Sequence, residues 1–415
     1  MDNRKFDSLK KNISPTFCMA KFHEATIWLY SSKIAGCHHT PLFPTGTTPL
    51  TFFNNTAKRE QQSKMVAGEK PTECNYCWKL EDQGQVSDRE LKSLHFKSSL
   101  LPANYLDTSY NFKPKALELA FSNTCNLACA YCSPSFSTEW INDIKNNGMY
   151  QNINNDIKMH YSRGVDNTVS VDMEMFWQWF DSISTELESV RITGGEPLLH
   201  EETFKTFEKV IKINPNIECV IHTNLCQKPL VIERFVSNIK KLNNVRINIS
   251  NESAGETAEF IRDGMKYSEW LNNLEIICSN TTASVSISTT ITALALIGLD
   301  ELYRDIIQIR KTINLKTLPY ISINLATYPV FQSLACLSNE ELIFYHLKFT
   351  DFFESIQRDL LDIEKQCIPR LISMLDPKLT NPNHKDYRCD SDNFFSQYTQ
   401  RRSKKFNFSE LIGKK

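Results

Sequence analysis

From Ala116 onward, short runs in which apolar and polar residues alternate are separated by longer runs with helical spacing. "ALELAFS" (116–122), "SVRIT" (189–193), "ECVIHTN" (218–224), "NVRINIS" (244–250), "SVSISTTIT" (284–292) and "YISINLA" (320–326) read as strands. Between them, "MEMFWQWFDSI" (173–183), "ETFKTFEKVIKI" (202–213) and "DELYRDIIQIRKTI" (300–313) predict helices. The stretch 258–277 is mainly helical, with a break expected at Gly264. Six strands, most followed by helical sequence, favour a parallel sheet with right-handed crossovers. At this spacing the expectation is an α/β fold, a partial (β/α)6 barrel over residues 112–335. "SNEELIFYHL" opens a C-terminal helix with a capping box at Ser338 and Glu341, and the tail from Pro377 reads as a polar loop. Residues 336–415 are thus a helical extension, and residues 1–100 an irregular Cys-rich module.

A chain of 415 residues is too long for one ordinary core, which agrees with a barrel-sized domain plus an extra module. The formal charge of −1 supplies no global basic field for a nucleic-acid backbone, so nucleic acid is not indicated as a partner. The N-terminus, "MDNRKFDSLKKNIS", lacks the apolar core of a secretory signal, and no run of about 18 apolar residues exists to span a membrane. The expected location is the cytoplasm, where thiols stay reduced. There, thirteen cysteines point to metal binding or chemistry rather than to disulfides.

Three of them form "CNLACAYC", with Cys125, Cys129 and Cys132 spaced C-x3-C-x2-C directly after the first strand. Structural zinc normally takes four protein ligands, and a cubane [4Fe–4S] cluster has four irons. Three thiolates leave one iron open, and an open metal position is a place for a substrate. In parallel α/β folds the strand C-termini carry the chemistry. This triplet, with Tyr131 before its last cysteine, resembles the signature of the radical S-adenosylmethionine (SAM) superfamily. A second stretch agrees: "RITGGEPLL" (191–199), at the end of the second strand, resembles the family's GGEP motif. Gly194 and Gly195 allow close backbone approach, and Glu196, followed by Pro197, offers a carboxylate to an ammonium.

The resemblance covers about residues 115–330 and implies a [4Fe–4S] cluster whose open iron binds SAM. It implies cleavage of SAM to methionine and a 5′-deoxyadenosyl radical, which abstracts a substrate hydrogen. An electron donor such as a flavodoxin or ferredoxin is the implied partner. "HTNL" (222–225) resembles the family's TNG with Leu225 in place of the glycine, which brings in Asn224. Ser250 and Asn251, after the fourth strand, match positions that meet the SAM ribose or carboxylate. Arg262 is offered either to a carboxylate or to a helix-surface ion pair. Cys226, beside "HTN", is either a hydrogen-atom donor to a substrate radical or a packed thiol.

Cys18, Cys37 and the pair Cys74-x2-Cys77 form a second set. Four cysteines match an all-thiolate zinc site or a fully ligated iron–sulfur cluster, and spacing does not decide. Cys77-Trp78 followed by Glu81, Gly84, Ser87 and Arg89 resembles the auxiliary-cluster modules called SPASM or twitch domains. That resemblance implies a second, auxiliary [4Fe–4S] cluster, here placed before the barrel. His38 and His39 are either substitute ligands or a solvated loop pair. Cys219, Cys278 and Cys367 are expected to be inert buried thiols, and Cys336 and Cys389 to lie in loops. The substrate class stays open between a peptide and a small molecule such as a nucleotide or sugar. A non-catalytic iron–sulfur or zinc protein is the remaining class, against which the two intact motifs speak.

Overall fold

The computed structural model describes residues 4–96, 102–107, 109–162, 170–312 and 314–404. The chain divides into two compact units. The first comprises residues 1–122, 168–194 and 209–220, and the second comprises residues 123–167, 195–208 and 221–415.

The first unit is built on strands β1 (Glu24–Trp28), β2 (Lys33–Ala35), β3 (Phe43–Pro44), β4 (Ala116–Ala120) and β6 (Ser189–Thr193), in the order β6-β4-β1-β2-β3. β4 pairs in parallel with β6, Leu119 opposite Ile192, and with β1, Ile27 opposite Leu119. β2 and β3 close the edge antiparallel. β1 lies in the stretch expected to be irregular. Its polar–apolar alternation runs only from Glu24 to Ile27 before apolar Trp28 and Leu29 interrupt it, too short a run to stand out. The same stretch also holds the helices Thr56–Val66, Asn75–Asp82 and Asp88–His95.

The second unit holds the end of β7 (Glu218–Thr223), then β8 (Val245–Ser250), β10 (Ser284–Ile291) and β11 (Tyr320–Leu325), in the order β11-β10-β8-β7. β10 pairs in parallel with β8 and with β11, Val285 opposite Ile247 and Ile287 opposite Ile321. All six strands expected from alternation are therefore present, in an α/β fold with parallel pairing. A separate two-stranded ribbon joins β5 (Ala128–Cys129) to β9 (Arg262–Asp263). Gly264, at φ +99°, ends the ribbon and splits the expected long helix into Gly255–Ile261 and Tyr267–Asn280. The helix expected at 300–313 begins earlier, at Ala295, and Ile313 lies outside the described residues.

The C-terminal helix Asn339–Ser355 carries the expected capping box, Glu341 N–H on Ser338 and Ser338 N–H on Glu341. The tail departs from expectation, because His384–Arg401 is a helix and contains Cys389. Its buried face is Ser391, Phe394, Phe395, Tyr398 and Thr399, a helical stripe in which Ser and Thr blur the apolar signal. Among the described residues no helix is long and apolar enough to cross a membrane.

Candidate functional site

The cysteine loop of the second unit has little regular structure, so its backbone needs partners from elsewhere. Side chains supply them. Ser137 Oγ donates to the Leu127 carbonyl at 2.7 Å, Tyr398 OH to Ala128 at 2.9 Å, and Trp140 Nε1 to Cys129 at 2.9 Å. The Ala130 carbonyl takes Tyr161 OH at 2.8 Å and Gln332 Nε2 at 2.9 Å, and Cys132 O meets His160 Nε2 at 3.1 Å. The Ala130 N–H donates to Ile261 O at 2.7 Å beside the β5–β9 ribbon. The loop is thereby held while its sulfurs are left for another partner. Burial lifts the Cys129 thiol to about 12 and Cys132 to about 11, and lifts Cys125 further. Metal binding would have to supply what deprotonates them.

Gly195 can only be glycine, since a Cβ there would stand 2.2 Å from Thr124 O and 2.7 Å from Asn123 O. This approach lets Glu196 N–H donate to Thr124 O at 2.7 Å. Gly194, at φ +125°, closes the first unit's segment. Glu196 is 2% exposed. Its carboxylate takes Thr223 Oγ1 at 2.7 Å, Leu198 N–H at 3.0 Å and Asn224 N–H at 2.7 Å. Burial still raises its carboxyl to about 7. Within the chain, Glu196 ties the turn opened by Pro197 to the end of β7.

Asn224 continues that link. Its Nδ2 donates to Asn126 Oδ1 at 2.9 Å and reaches Cys125 Sγ at 3.8 Å, while its Oδ1 accepts the Cys226 N–H at 2.8 Å. Asn126 Nδ2 donates to Cys226 O at 2.7 Å. Cys226, half-buried, has its thiol raised to about 12 by burial and is a neutral S–H. Leu225 adopts φ +56°, the left-handed conformation for which the resembled motif has glycine.

Tyr131 joins a second network. Its hydroxyl donates to Glu252 Oε1 at 2.7 Å and accepts from Arg262 Nη2 at 2.7 Å. Arg262 also forks onto Glu252 at 2.6 and 2.7 Å, and its Nη1 lies 3.6 Å from Cys129 Sγ. Arg262 is 3% and Glu252 1% exposed, so this is a buried ion pair rather than a helix-surface one. Glu252 and Asn126 were not singled out in the sequence, because their partners are distant along the chain. Asn251 is wholly buried, its carbonyl takes Thr289 Oγ1 at 2.9 Å, and its Nδ2 has no hydrogen-bond partner among the described residues. Ser250 ends β8 half-buried. No hydrogen bond among the described residues joins Ser250 or Asn251 to the cysteine loop.

In the first unit one cavity is lined by Cys18, Cys37, Cys74 and Cys77. Burial lifts Cys18 to about 12 and Cys74 to about 11. Glu81 accepts Ser87 Oγ at 2.5 Å and a fork from Arg89 at 2.7 and 2.9 Å, while Arg89 Nη1 donates to Phe17 O at 2.8 Å beside Cys18. Gly84, at φ +73°, makes the turn between them. These residues fasten the Cys74–Cys77 helix to the Cys18 segment. His39 is held by Asp88 at 2.6 Å, and His38 Nδ1 lies 3.2 Å from the Lys92 ammonium.

Among the described residues, His38, His39 and Asp88 are the one trio of such groups with ligand atoms all within 4.8 Å of one another. Neither cysteine set is drawn in that far. A tetrahedral zinc with Zn–S near 2.3 Å would bring its sulfurs to about 3.8 Å. All-sulfur donors of this kind suit a structural zinc and an iron–sulfur cluster alike.

Residues 119–313 match the family described as the radical SAM superfamily. The chain is 23% identical over 144 residues to the GTP 3′,8-cyclase of Campylobacter lari, covering 35% of this chain and 36% of that protein. It is 27% identical over 146 residues to the GTP 3′,8-cyclase of Desulforamulus reducens, again 35% and 36%. The match thus spans about a third of the length of these relatives. Among solved structures, Streptococcus suis SuiB bound to S-adenosylmethionine aligns with a TM-score of 0.39 at 13% identity, covering 72% of this chain and 64% of that one. The family implies a [4Fe–4S] cluster and SAM as its cofactors. Residues 119–313, which hold the thiol loop and the glycine turn, are thus similar to the radical SAM superfamily.

Proposed function

We propose that this chain is a cytoplasmic radical SAM enzyme that takes a hydrogen atom from a peptide or small-molecule substrate. The observation that carries the reading is the loop of Cys125, Cys129 and Cys132, five of whose carbonyls are capped by side chains from four neighbouring segments while its three sulfurs are left without a fourth cysteine. When bound there, the cluster and SAM supply one-electron cleavage of SAM, fed by a donor such as a flavodoxin or ferredoxin. The chain's own residues do the rest. Gly194, Gly195 and Pro197 shape the turn for close backbone approach, and Glu196 and Asn224 hold that turn to the cysteine loop. Tyr131 and Arg262 buttress the loop from the other network, and Ser250 and Asn251, the latter with its orphaned amide, are assigned to the SAM ribose or carboxylate. Cys18, Cys37, Cys74 and Cys77 are assigned to an auxiliary [4Fe–4S] cluster. In this reading residues 1–100 are the auxiliary module, 112–335 the partial barrel and 336–415 the C-terminal extension.

The test is release of 5′-deoxyadenosine from SAM by anaerobically reconstituted, reduced protein. Cleavage should be lost on changing Cys125, Cys129 and Cys132 to Ala. Cleavage that survives in that variant removes the reading. The name of the curated relatives favours a nucleotide as a second substrate reading, so GTP belongs in the substrate screen beside peptides. Cys226 is assigned as hydrogen donor to the substrate radical. Cys226→Ala should still release 5′-deoxyadenosine but yield less product per turnover, and an unchanged ratio removes the assignment.

A further inference from the structure

Three cations line the first unit's cysteine cavity, Lys21, Arg89 and Lys92, each beside a carboxylate, and a fourth, Lys58, approaches the lining residue Gly36. Lys92 places its ammonium 2.6 and 2.8 Å from the two Glu24 oxygens, and Arg89 forks onto Glu81. Lys58 is different. It is wholly buried, donates to the Glu24 backbone carbonyl at 3.0 Å, and lies 4.2 Å from the Phe53 ring centre. Among the described residues no carboxylate pairs with it. Lys21, 2% exposed, donates to Gln61 Oε1 at 2.9 Å and is ion-paired with Glu73 at 3.7 Å, a longer contact than those of Lys92 and Arg89. Both reach the backbone just before Cys37. A Cβ on Gly36 would stand 3.2 Å from Lys21 Cδ and 3.4 Å from Lys58 Nζ.

A buried ammonium without a counter-charge is costly. Four protonated thiols offer it no negative charge. Four thiolates on a [4Fe–4S]²⁺ cubane make a dianion, and two lysines balance it. We propose that Lys21 and Lys58 are the buried counter-cations of the first unit's four-thiolate centre and set its reduction potential. This rests on the reading of that site as an iron–sulfur centre. On reduction the centre gains one electron from an external reductant, its charge passing from dianion to trianion, and no bond is made or broken. Two cations beside it favour the more negative state.

The test uses the full chain with Cys125, Cys129 and Cys132 changed to Ala, so that one centre is observed. About four irons per chain should remain. Less than that, or zinc in their place, overturns the iron–sulfur reading and the proposal with it. With iron present, redox titration followed by electron paramagnetic resonance gives the midpoint potential. Lys58→Met and Lys21→Met should each make one-electron reduction at least tenfold less favourable, about 59 mV more negative. Lys21→Arg should stay near the parent value. An unchanged potential in both Met variants at full iron content overturns the proposal and leaves the iron–sulfur reading standing. If the Met variants lose iron while Lys21→Arg keeps it, the charge itself retains the centre and the proposal stands. If all three lose iron, packing rather than charge is responsible and the proposal falls.

Discussion

Glu196 carries more of the second unit's site than its place in a short motif implies. Three donors converge on its buried carboxylate, two of them from the end of β7, and each would be left unsatisfied by truncation. A buried donor without a partner costs about 1–3 kcal/mol. Glu196→Ala should therefore lower unfolding stability by at least about that amount in denaturant titrations. It should also weaken SAM binding by loosening Asn224, while the iron held by the three cysteines stays. Native stability together with native SAM affinity would show that the carboxylate positions nothing. Leu225 marks the same corner. Its left-handed backbone costs about 1–2 kcal/mol relative to glycine, which its wholly buried side chain offsets by packing.

The helix His384–Arg401 reaches the cysteine loop through one hydroxyl, Tyr398 on the Ala128 carbonyl, and Arg402 just beyond it pairs with Asp263 of β9 at 2.9 Å. Tyr398→Phe keeps the ring and removes that donor. The buried carbonyl then loses a partner worth about 1–3 kcal/mol, so iron should pass to a chelator about tenfold faster. A release rate equal to that of the parent would show that the helix does not brace the loop. This contact was not legible in the sequence, and the reason is physical. Cys125, Cys129, Cys132 and the Gly194–Pro197 turn are local patterns, as are the six alternating strands, so both could be read from neighbouring residues. The partners that hold the loop, Tyr398, Gln332 and Tyr161, come from farther along the chain and carry no local mark. β1 was hidden for a different reason, since its alternation spans only Glu24 to Ile27 before apolar Trp28 and Leu29 interrupt it.

At the scale of the whole chain, each thiol set lies within a single compact unit, Cys18, Cys37, Cys74 and Cys77 in the first and Cys125, Cys129 and Cys132 in the second. Each unit also contains its own braces, Glu81 and Arg89 for the first set and Trp140, Tyr161 and Tyr398 for the second. A site whose ligands and braces all come from one unit should fill without the other. Reconstituted protein should then hold about eight irons per chain, and removing either cysteine set should leave about four. Sites that share no partners respond additively to mutation. The variant lacking the first set should still release 5′-deoxyadenosine from SAM, because in the proposed reading the three-cysteine site alone would hold the cluster that cleaves it. The variant lacking the second should not. Iron analysis with Mössbauer spectra on the two variants decides this. Loss of nearly all iron on removing either set would mean that the two sites fill together, and the division of labour between the units would have to be abandoned.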